Sequence, residues 1–185
     1  MQSQEVMNPE TLSDRGLAMQ GFPIHSDPSI RRVEPWLRLT PSLSTLWIAT
    51  GTALGSPAML FGFSFVSAFG ASQHKHPFDR LYDRLIRRMA RSEPLPDNPP
   101  PRRFAMALAA AWAATTAVLF ATGQRRAGII AGCSLGIAGA TVATTHFCLG
   151  SWIYRRLDRL LDRRRPGVEL SRRAADGALL APQHP

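Results

Sequence analysis

A few residues in this chain have the types and spacing for chemistry. Cys148 and Ser151 stand at i and i+3 in Phe147-Cys148-Leu149-Gly150-Ser151, on one face of a helix. A Cys-x-x-Cys pair with serine in the second place keeps the nucleophile and loses the resolving thiol. The apolar stretch that holds Cys148 is expected to end close by, and the dipole at a helix C-terminus disfavours a thiolate. Cys148 therefore reads first as a buried structural cysteine and second as a reactive thiol. His146 is the one imidazole inside an apolar stretch, where ionisable groups are functional suspects. With Thr144 and Thr145 beside it and no carboxylate in the stretch to relay protons, it reads as a neutral, hydrogen-bonded packing histidine. His74-Lys75-His76 offers two imidazoles but no Cys, Asp or Glu at ligand spacing, so loop polarity and helix capping are expected rather than a metal site. Cys133 and Cys148, on one helix, lie about 22 Å apart along its axis and cannot bridge. No catalytic, cofactor-binding or metal-ligating set is expected, and the functional suspects are His146, Cys148 and Ser151.

The elements that must position these residues follow from how charge is distributed. The chain has 185 residues, with 22 Lys+Arg against 13 Asp+Glu and a net charge of +9. No charged residue occurs over 39–73, 104–124 or 127–154. Helices of a soluble protein need a polar face at every turn, whereas these gaps meet the roughly 20-residue span of a bilayer core. The arginines sit just outside the gaps, where the positive-inside bias puts them, and are not interleaved with stacking aromatics. That pattern excludes nucleic acid as the partner and argues against a soluble globular enzyme.

Residues 1–30 are polar and hold three X-Pro pairs. They read as a disordered cytoplasmic tail with no secretory signal peptide. Trp36 is placed for headgroup level. The first gap is broken by Gly55-Ser56-Pro57, which predicts a helical hairpin over about 42–72, either two crossings or a re-entrant pair. From Pro77, the apolar residues Phe78, Leu81, Tyr82, Leu85, Ile86 and Met89 recur at helical spacing, with Asp79, Arg80, Asp83, Arg84, Arg87 and Arg88 filling the other face. This predicts an amphipathic interfacial helix over 77–90, with packing on a protein partner as the alternative. Residues 94–101 read as a stiff proline spacer. A second hairpin is expected over about 104–150, then a second interfacial helix over 151–164, and residues 166–185 read as a disordered tail. The fold class is thus all-α: an integral membrane bundle of two helical hairpins with interfacial amphipathic helices, occupying residues 31–165.

Small residues repeat every four positions along the second hairpin, as Ala105, Ala109, Ala113 and Ala117 and as Gly128, Gly132, Gly136 and Ala140. Helices associate in lipid over such ridges, so these two are expected to pack on each other, with oligomerisation as the alternative. The segment 74–103 and the region after Tyr154 each carry eight Lys/Arg, and the N-terminal side carries four. An even number of crossings puts all of these on one side, with both termini cytoplasmic.

Pro101-Arg102-Arg103-Phe104-Ala105 opens the second hairpin. Phe147-Cys148-Leu149-Gly150-Ser151, followed by Trp152-Ile153-Tyr154, closes it, and Pro77 to Tyr82 lies between the hairpins. Together these runs resemble an uncharacterised family of small bacterial membrane proteins, domain of unknown function 4395, over about Arg31 to Leu161. The resemblance implies a multi-pass helical protein of a bacterial inner (plasma) membrane with no established activity. Members often show Phe-Cys-x-Gly-Cys where this chain has Ser151, a departure that counts against a dithiol role.

The expected function is that of a non-enzymatic accessory or structural subunit of a larger membrane assembly. Its partners would be anionic lipid headgroups and other membrane subunits. The alternatives are a membrane thiol protein acting through Cys148 with a soluble redox partner, and a small-solute carrier resting on the likeness of Asp79–Arg84 to Asp158–Arg163.

Overall fold

The computed structural model describes residues 9–23, 29–87 and 94–162; the expected tail over 166–185 and the end of the 77–90 helix lie outside them. Every regular element among the described residues is helical: α1 (Pro9–Gln20), α2 (Ser29–Leu37), α3 (Leu39–Ala53), α4 (Pro57–Ser72), α5 (Pro77–Leu81), α6 (Pro100–Ala121), α7 (Arg125–Thr145) and α8 (Leu149–Asp162). α5 continues into a wider π turn over Tyr82–Ile86.

The helix boundaries have local causes. α3 ends where Gly55 takes φ 59°, and α4 restarts with Ser56 accepting from the Met59 N–H and Pro57 in the first turn. The proline spacer ends sooner than 94–101, because Pro100 and Pro101 form the first turn of α6, where a missing N–H costs nothing. α7 stops at Thr145 because His146 adopts a left-handed backbone, φ 56°. The expected single helix to about residue 150 is therefore two helices with a sharp break between them.

α3 and α4 form one hairpin, and α6 and α7 form another. α4 lies along α6 and α3 along α7, closing the four into a ring. Ile48, Phe63, Ala113 and Leu135, one from each helix, make its core. Polar side chains knit the hairpins together: Ser64 and Ser67 of α4 donate to the Ala110 and Met106 carbonyls of α6 at 2.8 and 3.0 Å. α6 and α7 are long and apolar enough to cross a membrane; α4 is apolar and shorter.

The small-residue ridges are used across hairpins more than within one. Ala113 and Ala117 are buried, Ala109 packs on the core, and Ala105 abuts Gly150 of α8. On α7, Gly128 meets Phe120 of α6, but Gly132 meets Thr52 of α3. Nothing lies within 4 Å of where a Gly136 side chain would begin, and Ala140 lines a shallow groove shared with α3. α6 and α7 do pack on each other, Ala113 and Ala109 lying with Leu135, while Gly132 and Gly139 let α3 approach through Thr52 and Thr45.

At the end of the ring opposite the 54–56 and 122–124 turns lies a collar of α1, α2, α5 and α8. The expectation of a disordered segment over 1–30 is corrected here at 9–20, which is helical. Leu17, Phe22, Ile30, Val33, Leu37, Tyr82 and Leu95 form a second buried cluster, so the polar composition of this region hid a sparse apolar face. α5 departs from the expected amphipathic plan. Tyr82 is fully buried, with its ring 5.0 Å from that of Trp36, so Trp36 packs on protein. Asp79, assigned to the polar face, is buried, while Leu81 and Leu85 are exposed. The apolar set is thus already split between two directions at Leu81 and Tyr82, where the π turn begins.

Candidate functional site

His146 is the hub of the collar. A non-glycine residue in the left-handed region costs on the order of 1–2 kcal/mol unless its surroundings hold it there. The Gln20 side chain donates to the His146 carbonyl at 2.7 Å, and Arg38 donates to its Nε2 at 3.1 Å and to the Thr144 carbonyl at 3.1 Å. Arg38 also binds Glu34 at 3.1 Å, and Ser13 donates to the same carboxylate oxygen at 2.5 Å. Gly16 lets α1 sit directly on His146: a Cβ there would lie 2.8 Å from the His146 Cβ. One network therefore joins α1, α2 and the end of α7, across more than a hundred residues of sequence.

The protonation state follows from these contacts. Burial pushes the His146 pKa down, the Arg38 charge pushes it further, and Glu34 opposes both. Nε2 accepts from Arg38, so in the neutral ring it carries no proton, and its 3.3 Å approach to Glu34 is no ion pair. Glu34 is instead satisfied by Arg38 and Ser13. Burial works to raise its pKa, and the bonds from those two side chains and nearby positive charge outweigh it, leaving it lowered.

A second buried cluster surrounds His76. Its Nδ1 accepts from the Phe78 N–H, and its backbone N–H donates to Asp79, a reciprocal cap on α5. Asp79 also receives bonds from Thr40 at 2.6 Å and Asn98 at 3.4 Å. Burial, aided by the Arg102 charge and opposed by Asp79, pushes the His76 pKa to about 4. Among the described residues, His74 contributes its carbonyl, to the Asn98 N–H. Among the described residues, no three His, Cys, Asp or Glu side chains assemble a metal site.

Cys148 sits elsewhere than its sequence position implied. Its carbonyl accepts the Trp152 N–H at 2.9 Å, so it caps the N-terminus of α8 rather than trailing the C-terminus of α7. The C-terminal dipole of α7 therefore does not oppose a thiolate at Cys148, because the left-handed His146 breaks the helix first. The thiol is buried, and Cys133 is exposed on α7. Ser151, one turn on, is fully buried and donates to the Pro101 carbonyl at 3.2 Å, which ties α8 to the start of α6.

These groups meet at one place. A cavity of about 150 Å³ lies inside the collar end of the ring. Its walls are apolar, with Ile48, Phe63, Trp112 and Leu135 among them, and His76, Arg102, His146 and Cys148 also line it. Two of the three suspects thus face one cavity, and Ser151 stands behind it as a structural tie. Glu34, Arg38, Asp79 and Arg102 were missed as site residues. In the sequence Arg38 and Arg102 look like ordinary flanking arginines. The one available signal was Asp79 three residues after His76, a capping spacing.

Comparison with curated proteins and with solved structures finds no match. The family profile described as Domain of unknown function (DUF4395) matches residues 33–159. That span runs from within α2 through the ring and well into α8, and the chain belongs to this family.

Proposed function

We propose that the protein is a multi-pass membrane bundle of the bacterial inner membrane, with its collar and both termini on the cytoplasmic side. We further propose that it acts without catalysis, as an accessory or structural subunit. The observation that carries this reading is where the apolar surface lies. Only 28% of the α6 span and 17% of the α7 span are buried inside the protein, whereas the core helix of a soluble protein is mostly buried. Phe61, Phe65 and Phe69 on α4, and Ile130 and Ile137 on α7, project outward. An apolar exterior of this extent fits hydrocarbon. The basic residues gathered at the collar end fit the positive-inside bias. α3 and α4, at about 22 and 24 Å long, fall short of a core of about 30 Å, which fits a re-entrant pair beside two full crossings. On α8, Leu157, Leu160 and Leu161 are exposed beside arginines, a surface for anionic headgroups or a neighbouring subunit.

Topology reporters fused after residue 124 should report the far side and those after residue 95 the cytoplasm. A cytoplasmic signal at 124 overturns the arrangement. Extraction in mild detergent should bring down a stoichiometric membrane partner; recovery as an isolated monomer counts against the subunit role.

A thiol role is favoured by one observation, the place of Cys148 at the start of α8 and on the cavity wall. In that reading its thiolate attacks a partner disulfide, forms the mixed disulfide and releases the partner's other sulfur as thiolate. Ser151 at i+3 then offers no second thiol to resolve it. Cys148→Ser should abolish trapping and Cys133→Ser should not; a Cys148 that resists alkylation in membranes at neutral pH sinks the idea.

A further inference from the structure

The collar cavity combines apolar walls with the side chains of Arg102, His76 and His146. Arg102, 6% exposed, sets its guanidinium over the Phe22 ring at 5.4 Å and pairs with no carboxylate among the described residues. His76, 2% exposed, uses Nδ1 to accept the Phe78 N–H, so its proton is on Nε2. His146, 1% exposed, uses Nε2 to accept from Arg38, so its proton is on Nδ1. Neither of these ring N–H groups, nor the guanidinium, finds a hydrogen-bond acceptor among the described residues. A nearly buried cation without a counter-ion is costly, and Arg102 lines one cavity together with the two imidazoles, which marks a place for an acceptor that arrives from outside.

We propose that this cavity binds a small amphipathic monoanion, a carboxylate on an apolar body of about benzene size. The carboxylate sits among Arg102, His76 and His146, and the apolar body lies against Phe63, Trp112 and Leu135. A guanidinium presents paired N–H groups that match a carboxylate in two-point contact. One fixed positive charge with two neutral imidazole donors balances one negative charge. A dianionic phosphate would bury an excess charge beside Asp79, which the site does not offset. A volume of about 150 Å³ takes a molecule of benzene size. The inference stands apart from the membrane topology and from the subunit role, since it rests only on the interior of the collar.

The test uses the full chain purified in mild detergent, titrated calorimetrically with benzoate and with benzyl alcohol, its uncharged near-isostere. Benzoate should bind at least about tenfold more tightly than the alcohol, and Arg102→Gln should remove that preference. If Arg102→Gln fails to run as a single species, Arg102→Lys keeps the charge and should retain a reduced preference for benzoate. Ala138→Phe, which fills the cavity from its wall, should weaken both ligands. Across straight-chain acids from butyrate to decanoate, affinity should peak near hexanoate. A steady rise to decanoate overturns the enclosed small-ligand site in favour of a fatty acid drawn from the bilayer. Equal binding of benzoate and benzyl alcohol, no benzoate binding at millimolar concentration, or wild-type benzoate binding by a folded Arg102→Gln protein overturns the proposal.

Discussion

The two ends of the helical ring are joined by different kinds of interaction. At the turn end, Gly55 and Gly123 reverse the chain in left-handed conformations, and local backbone and Ser56 bonds close the caps. At the collar end, the closing bonds run between residues far apart: Gln20 to His146, Arg38 to His146, Ser151 to Pro101, and Arg155 to the last carbonyls of α1 at Met19 and Ala18. The turn end holds itself together one hairpin at a time. The collar end exists only when both hairpins and the N-terminal helices are assembled, so its buried polar groups act as a check on the whole fold.

The comparison breaks most sharply where α8 meets α6. A Cβ on Gly150 would lie 2.7 Å from the Ala105 Cβ and 2.8 Å from its Cα, and backbone cannot swing away as a side chain does. Gly150→Val should cost about 3 kcal/mol or more, read as a lowered thermal midpoint in detergent, and should expose Cys148 to alkylation. A midpoint equal to wild type would show that α8 is only loosely docked.

Arg38→Met tests the network itself. It removes the donors that serve His146, Thr144 and Glu34 at once and leaves Glu34 with Ser13 as its remaining partner among those shown. A loss of about 2 kcal/mol is expected, with faster protease cleavage near α1 than near the 122–124 turn. Equal cleavage at both places would mean that the collar does not open as a unit.

Acid should act on the collar and spare the turns. The His76 pKa is about 4 in the folded protein against an ordinary 6.5, so between these values the unfolded chain holds a proton that the folded chain lacks. Stability is therefore full above about pH 6.5 and falls as pH drops towards 4. Asp79 and Arg102 are the charged groups acting on this ring; His146, also lowered, contributes with the same sign. The expected loss is on the order of 2 kcal/mol, and His76→Gln should flatten the profile between pH 7 and 5. A wild-type profile already flat over that range would place both rings in contact with water.

The turn end was legible in the sequence and the collar largely was not, for one physical reason. Gly55-Ser56-Pro57, the charge gaps and the small-residue repeats are local signals, and local bonds are what they specify, so the helices of both hairpins follow from them. The collar depends on pairs such as Arg38 with His146, whose partners lie more than a hundred positions apart and carry no periodic mark. Proline pairs and low hydropathy concealed α1. Its buried Leu17 gains meaning only against Ile30, Val33 and Tyr82. His146 and Cys148 drew attention for their types, yet their setting turned on a single left-handed residue that ended α7 early. Histidine is not the residue that pattern reading expects at a left-handed cap.

The smallest effect belongs to the turn end. Gly123 has φ 78° and nothing within 4 Å of where a Cβ would sit, so a substitution there meets backbone strain and no collision. Gly123→Ala should cost about 1 kcal/mol, the penalty for an L residue in the left-handed region. Gly123→Asn, whose side chain tolerates that region, should cost less than half as much. The order of the two variants separates strain from packing: a packing cause would make the larger asparagine worse than alanine, whereas strain alone makes it better. At Gly150, on the collar side, the order should reverse. Gly150→Ala should be the milder change and Gly150→Asn the harsher, because there the obstacle is Ala105 and not the dihedral angle.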